Sequence, residues 1–429
     1  MTLIIIGAIL LSIAAGYKTK INIGFFAIVF AYLIGAYGMG MSSSQVIHLW
    51  PIKIFFIILS VTLFYNFAMA NGALEKLAGH LLYTCRDFPA LLPLAIFAAA
   101  TIIAALGAGF YTVLAFMAPM TLLLCQKTGM SKVIGGMAVN YGALAGANFM
   151  TSQSGVIFRG LMEGAGIDPS AAFTYATAMF VTTLILPLVV VGAYVLLFRH
   201  KLNIRIAPEK PAPFDTKQKQ SLLLIIGLMA ILLIVPVLHI AFPDNHGITY
   251  LNARIDIAFM AIIFSVISLL LRLADEKKVV AFVPWGTLIM ICGVGMLIEV
   301  AIKAGVITVL SDWVSTTIPL WMIPLAMCVI GAIMSLFSST LGVVTPALFP
   351  VVPAIALATG YNPMILFVCI VVGAQASAIS PFSSGGSLIL GSAPHGMNQG
   401  RLFNDLLFRA VPLGFGAALI ATLILQGIL

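Results

Sequence analysis

Charge is what this sequence has least of. Of its 429 residues only 8% are Asp, Glu, Lys or Arg, while 62% are hydrophobic; an ordinary soluble domain carries about 25% charged residues. So small a polar complement cannot cover a water-soluble fold of this size, and lipid has to solvate much of the chain. The formal charge of +8 comes from basic residues in short loops between apolar runs, the distribution of a membrane protein. No basic patch with interleaved aromatics points to nucleic acid. Cys85, Cys125, Cys292, Cys328 and Cys369 are scattered, odd in number and without a CxxC, so they read as small buried hydrophobes. The six histidines show no HxxxH or HExxH spacing, which removes the usual zinc signatures, and nothing calls for a cofactor. Met1 to Gly16 lacks a basic start and a small-residue cleavage site and is read as a mature span.

Apolar runs long enough to cross about 30 Å of hydrocarbon fall at about 2–17, 21–38, 52–70, 133–158, 171–198, 221–241, 256–272, 284–302, 363–390 and 408–428. Two further apolar regions, 91–126 and 319–358, are interrupted by Leu106-Gly107-Ala108-Gly109 and by Phe337-Ser338-Ser339-Thr340-Leu341-Gly342. They read as re-entrant hairpins, because non-helical backbone at membrane depth survives only against protein or a water-filled cavity. With the N-terminus outside, 17 of the 21 Lys and Arg fall inside, among them Lys20, Arg86, Arg199, Lys201, Arg205 and Lys210; only Lys53, Arg159, Arg254 and Lys303 fall outside. The positive-inside rule favours this orientation. Both termini are then outside, and the loop 199–220 is a cytoplasmic linker.

The halves on either side of that linker match. An offset of 231 residues aligns 119–160 with 350–391 without a gap, superposing Pro119 on Pro350, Gly129 on Gly360, Gly142-Ala143 on Gly373-Ala374, Ser152 on Ser383 and Gly155 on Gly386. There are 11 identities in 42 positions, against about four by chance. Five spans per half is an odd number, so the second copy lies upside down. The fold class that follows is an all-α polytopic membrane protein of two inverted repeats, each with five spans and one re-entrant hairpin. Its domains are 1–198 (hairpin 91–126, broken span 133–158), the linker 199–220, and 221–429 (hairpin 319–358, broken span 363–390).

Inverted repeats with broken helices are the pattern of secondary transporters. A broken helix leaves unsatisfied N–H groups, which attract anions, and carbonyl groups, which attract cations. Thr112, Asn148, Thr151, Ser152, Ser339, Thr340, Ser383 and Ser384 are the candidate substrate ligands. The small and hydroxyl residues Gly107, Gly109, Ser154, Gly155, Ser338, Gly342, Gly385 and Gly386 are the candidates around a sodium ion. Segments 101–158 and 335–400 contain no Asp or Glu, whereas a proton-coupled carrier usually keeps an ionisable relay inside the membrane. Sodium needs only carbonyl and hydroxyl oxygens, so it is favoured as the coupling ion. Glu299 has Lys303 one turn later and is expected to pair with it. His395 is read as a polar cap, and Arg159 and Arg401 as loop anchors or attractors of an anion.

The stretch Leu63-Phe64-Tyr65-Asn66-Phe67-Ala68-Met69-Ala70-Asn71-Gly72-Ala73-Leu74-Glu75, followed by a Gly-rich hairpin, resembles the MatC-type malonate and dicarboxylate carriers of the ion transporter superfamily, relatives of the divalent anion/sodium symporters. The resemblance implies a homodimer working as an elevator, with a scaffold domain and a transport domain that holds both hairpins and both broken helices. In the divalent anion symporters each hairpin tip bears Ser-Asn-Thr. The matching positions here are Gly109-Phe110-Tyr111 and Thr340-Leu341-Gly342, a departure that lets Phe110 and Tyr111 line the pocket.

The expectation is a secondary active transporter of the cell inner membrane, sodium-coupled for uptake of a small organic anion such as a dicarboxylate, with no catalytic residue and no metal beyond sodium. Anion export or exchange and proton coupling are the alternatives within the class. An intramembrane enzyme, the distant alternative, would need two Asp within spans or a Ser with a nearby His; no such Asp pair is present, while the Ser-rich breaks and His395 leave a hydrolase open. A channel would need a charged filter ring, and none is visible.

Overall fold

In the computed structural model, residues 2–19, 21–84, 91–198, 211–242, 245–252, 254–306, 309, 312, 316–394 and 396–428 are described. Cys85, His395, Lys20, Arg86, Arg199, Lys201, Arg205, Lys210 and the 199–210 part of the linker lie outside the described residues. Among those described the structure is helical, with no strand.

Among the described residues seven helices are long and apolar enough to cross a membrane: Ile52–Ala70, Pro169–Leu196, Thr216–Val235, Trp285–Lys303, Leu320–Phe337, Thr340–Thr359 and Gln399–Gly427. Thr2–Gly16, Ile23–Gly38, Leu92–Ala108, Phe110–Gln126 and Pro363–Ser377 are apolar but shorter. The two runs read from the sequence as broken spans are broken here. Run 133–158 is Lys132–Ala147 followed by Gln153–Gly164, and run 363–390 is Pro363–Ser377 followed by Ser384–Gly391. Either arm of the second hairpin region is long enough to span by length.

Local chemistry sets the helix ends. Asp215 and Ser42 make capping boxes with Gln218 and Gln45, each satisfying two orphan N-terminal amides. Asn22, Asp256 and Asn362 cap their helices through side-chain oxygens. Helices Phe110–Thr128 and Val352–Thr359 both stop at a left-handed glycine, Gly129 (φ 69°) and Gly360 (φ 75°), a conformation that costs a glycine nothing.

Packing follows the same offset. Helix Leu92–Ile103 lies so close to Lys132–Ala147 that a Cβ on Gly142 would collide with the Phe97 carbonyl. Helix Ile323–Phe337 lies on Pro363–Ser377 in the same way, Gly373 against the Cys328 carbonyl. The two pairs are 231 residues apart. Small residues at these crossings let backbones meet where lipid offers no hydrophobic drive. Tyr141 donates to the Ala376 carbonyl at 2.8 Å. Asn148 and Gln375 exchange amide hydrogen bonds at 3.0 and 2.9 Å, with Thr183 also accepting from Asn148 at 2.9 Å. The two broken helices are thus tied where they cross. Helices Thr2–Thr19, Ile23–Leu33 and Trp285–Lys303 form a separate apolar cluster of Ile5, Ala27, Ala31, Leu297 and Val300. The expected pair of Glu299 and Lys303 is corrected: no ion pair joins them. Both line a cleft with Ser44, Gln45 and His48.

Candidate functional site

All four interruptions expected from the sequence are present. The first hairpin turns at Gly107 (φ 95°) and Gly109 (φ 73°), between helices Leu92–Ile103 and Phe110–Thr128. The second turns at Ser338 and Ser339, both extended, before a wide helical turn over Thr340–Val344. Residues 148–152 and 378–383 separate the halves of the two broken helices.

Around the second hairpin and second break lies a cavity of about 540 Å³. Ser338, Ser339, Ser383, Ser384, Ser387 and Tyr111 line it, with Asn22, Thr287, Met290, Phe337 and Phe382 completing the wall. It narrows to a cleft of about 10 Å³ among Phe110, Tyr111, Thr340, Leu341, Gln375 and Gly385, about the volume a single water needs. Where the two spaces meet, the hydroxyls of Tyr111 and Ser339 hydrogen-bond at 2.9 Å, joining the two hairpin tips.

Helix starts converge here. Ser339 Oγ accepts from the Gly342 amide at 3.1 Å, and Ser383 Oγ accepts from the Gly386 amide at 3.2 Å. Each serine caps one amide of its first turn, and the earlier amides, Thr340 and Leu341 in one and Ser384 and Gly385 in the other, have no intrahelical partner. Such ends carry partial positive charge. No ionised side chain lines either space. The arrangement can hold an anion through amides and hydroxyls alone.

Of the residues proposed from sequence, Ser338, Ser339, Thr340, Ser383, Ser384 and Gly385 meet at this cavity. Gly342 packs on Met290, and Gly386 on the Ile379 and Ser380 carbonyls, just behind it. The remaining candidates gather at the first break. Ser152 Oγ donates to the Ala104 carbonyl at 2.6 Å, and Tyr65 to the Thr151 carbonyl at 3.2 Å. Gly107 lies against the Tyr65 ring, Gly109 against Gln153 and Gly155 against the Asn148 and Phe149 carbonyls. Asn148 is consumed by Gln375 and Thr183. Thr112 sits half-buried one position beyond Tyr111. The hydroxyls of Thr151 and Ser154 are buried with no partner. Sequence reasoning missed Gln375, Asn22, Thr287 and Asn140. Asn140 and Gln375 could have been found as the amides inside otherwise apolar runs, which are costly to bury unpaired.

Arg159 is held by Glu163 at 4.0 Å and by the face of Phe173 at 5.3 Å, and Arg401 lines a cleft with Asn398, Asp405 and Arg409; neither lines the cavity. Cys125, Cys292, Cys328 and Cys369 are buried free thiols. Among the described residues no group of His, Cys, Asp and Glu could hold a metal ion.

Residues 1–147 match the family model described as the dicarboxylate carrier protein MatC N-terminus. No curated protein matches the chain. The YdaH transporter of Alcanivorax borkumensis, described as having an unusual topology, superposes with a TM-score of 0.61 at 17% identity, over 93% of this chain and 88% of that one. MtrF of Neisseria gonorrhoeae, described as illuminating a class of antimetabolite efflux pumps, superposes with a TM-score of 0.55 at 12% identity, over 91% and 85%. At these identities the likeness is one of fold. The resemblance read at residues 63–75 is borne out by the match over the first third of the chain, and the chain is a multi-pass membrane protein whose fold is similar to that of these transporters.

Proposed function

We propose that the protein takes up a small organic anion, a dicarboxylate, across the cell inner membrane, driven by sodium. One observation carries this reading: the hydroxyl-lined cavity where the helix starts after Ser339 and Ser383 meet without an acidic or basic side chain. The carboxylates bind to Ser339, Thr340, Ser383, Ser384 and the free amides beside them, with Tyr111 closing over the inner end. The helix ends supply the attraction that an arginine would otherwise supply.

Sodium balances the charge. An inside-negative potential opposes entry of a dianion by about 2.3 kcal/mol per charge per 100 mV. Three or more sodium ions reverse the sign of the charge moved. The unpartnered hydroxyls of Thr151 and Ser154 and the carbonyls under Gly155 and Gly386 are hard oxygen donors suited to that ion. The two halves are inverted repeats, a reading supported by the matching contacts of Gly142 with Phe97 and of Gly373 with Cys328.

The hairpins and broken helices form the moving body of an elevator, tied by Asn148 and Gln375. The cluster of helices Thr2–Thr19, Ile23–Leu33 and Trp285–Lys303 belongs to the scaffold of a homodimer. With both termini outside, Asn22 and Gly286 lie at the inner ends of their spans, and the cavity opens to the cytoplasm.

The test is uptake of radiolabelled malonate or succinate into proteoliposomes. Accumulation that needs an inward sodium gradient supports the reading. Equal uptake in potassium with a response to pH removes sodium coupling, and counterflow without net accumulation replaces uptake by exchange.

A further inference from the structure

Both breaks carry the same carbonyl cradle. A Cβ on Gly155 would collide with the carbonyl oxygens of Asn148 and Phe149, and one on Gly386 with those of Ile379 and Ser380. Each member of the second set lies 231 residues after its counterpart in the first. The turn also repeats, with the Ser152 amide on the Phe149 carbonyl at 2.8 Å and the Ser383 amide on the Ser380 carbonyl at 2.9 Å.

The side chains around the cradles do not repeat. At the first, Ser154 holds a buried hydroxyl with no protein partner. Its counterpart at the second is Gly385, which has no side chain to offer. Into that space comes Asn140, from the first broken helix. Its Oδ1 lies 3.0 Å from where a Cβ of Gly385 would stand; the Ala378 carbonyl oxygen, which also accepts from the Ser383 hydroxyl, and the tip of the Phe110 ring each lie 2.7 Å from the same point. Asn140 is fully enclosed, and neither its Oδ1 nor its Nδ2 has a hydrogen-bond partner. A buried carboxamide left unpaired on both atoms is costly. The counterpart of Asn140 in the second half is Val371, which has nothing polar to return. Next to each cradle glycine, one residue earlier in the chain, there is thus one polar side chain: the local Ser154 at the first, and at the second Asn140, from the opposite half, beside Gly385.

We propose that Asn140 is a cation ligand in trans, its carboxamide oxygen completing the second carbonyl cradle as the Ser154 hydroxyl completes the first. The inference rests on the sodium reading above and deepens it. A cation at the second cradle then bridges the two halves, so its occupancy fixes helix Ser384–Gly391, whose first residues line the anion cavity, against helix Lys132–Ala147. Sodium bound there orders the anion site before the anion arrives.

The experiment is thermal unfolding of the purified protein titrated with NaCl, ionic strength held by KCl, with no organic anion present. The wild type gains stability with sodium over potassium. Asn140→Leu needs about tenfold more sodium for half the shift, while its unfolding temperature in potassium alone is unchanged or higher, because the substitution removes an unpaired amide. Asn140→Ala gives the same reading should Asn140→Leu fail to accumulate. Ser154→Ala moves the half-saturating sodium in the same direction, and Asn140→Asp keeps the response. A sodium shift that Asn140→Leu leaves intact, or a loss of stability equal in both salts, overturns the inference alone. A wild type indifferent to sodium overturns it together with sodium coupling.

Discussion

The two halves of the molecule place similar breaks in different surroundings. At the first break the tip is closed: Tyr65 fills the space beneath Gly107, Gln153 lies against Gly109, and Ser152 is spent on the Ala104 carbonyl. At the second, Ser338, Ser339, Ser383 and Ser384 face a cavity of about 540 Å³. The backbone contacts at the two breaks match more closely than the side chains around them. Ser383, like Ser152, donates to backbone carbonyls, those of Ala378 at 2.6 Å and Ser380 at 2.8 Å, so the difference between the breaks is the cavity beside the second and the half-buried Ser384 that lines it.

The largest effect expected from breaking this comparison is at the glycines the breaks share. Gly386→Ala and Gly155→Ala each drive a methyl into backbone carbonyls that cannot retreat. Each should cost about 3 kcal/mol and abolish transport, seen as lost monodispersity and lost uptake. If Gly386→Ala is silent, the carbonyl cradle is not tight. Next is the tie between the broken helices. Asn148→Leu or Gln375→Leu strands the other amide in the interior and should cost about 1–3 kcal/mol in thermal or denaturant unfolding. The double substitution should recover most of that loss, which separates a paired amide from a steric role.

Smaller and more selective effects are expected at the open break. Ser339→Ala and Ser383→Ala each remove a cap worth about 1 kcal/mol and should raise KM for the anion several-fold. Ser152→Ala, at the closed break, should leave KM near the wild-type value. An equal change at all three would erase the distinction between the breaks. Smallest is Tyr111→Phe, which loses the hydrogen bond to Ser339. An intramolecular hydrogen bond contributes about 1 kcal/mol or less to stability, so a fall of that size in thermal unfolding is expected, with KM changed by about twofold at most.

Much of the fold was legible from residue pattern. Pro119 and Pro350, Gly129 and Gly360, and Gly155 and Gly386 carry the repeat because backbone geometry constrains them and leaves little room for substitution. The breaks were legible for the same reason, since small and hydroxyl residues in apolar runs have few other uses. What the chain alone did not reveal was which break would be open. That depends on partners far away in sequence, such as Tyr65 under Gly107 and Asn22 and Thr287 beside Ser384. Glu299 and Lys303 make no ion pair within 4 Å because helical spacing places two side chains on one face without bringing their charged ends into contact. Gln375 escaped notice because its partner, Asn148, lies 227 residues earlier, and no local signal links them.

The most direct test of the central claim is ligand protection of a single cysteine. With Cys85 replaced by serine and Cys125, Cys292, Cys328 and Cys369 buried, Ser384→Cys, on the cavity wall, should react quickly with a small polar thiol reagent, whereas Ser152→Cys should react slowly. The account predicts that malonate or succinate slows labelling of Ser384→Cys in sodium and does so weakly in potassium. Labelling of Ser384→Cys at one rate, with or without dicarboxylate in sodium, would contradict it.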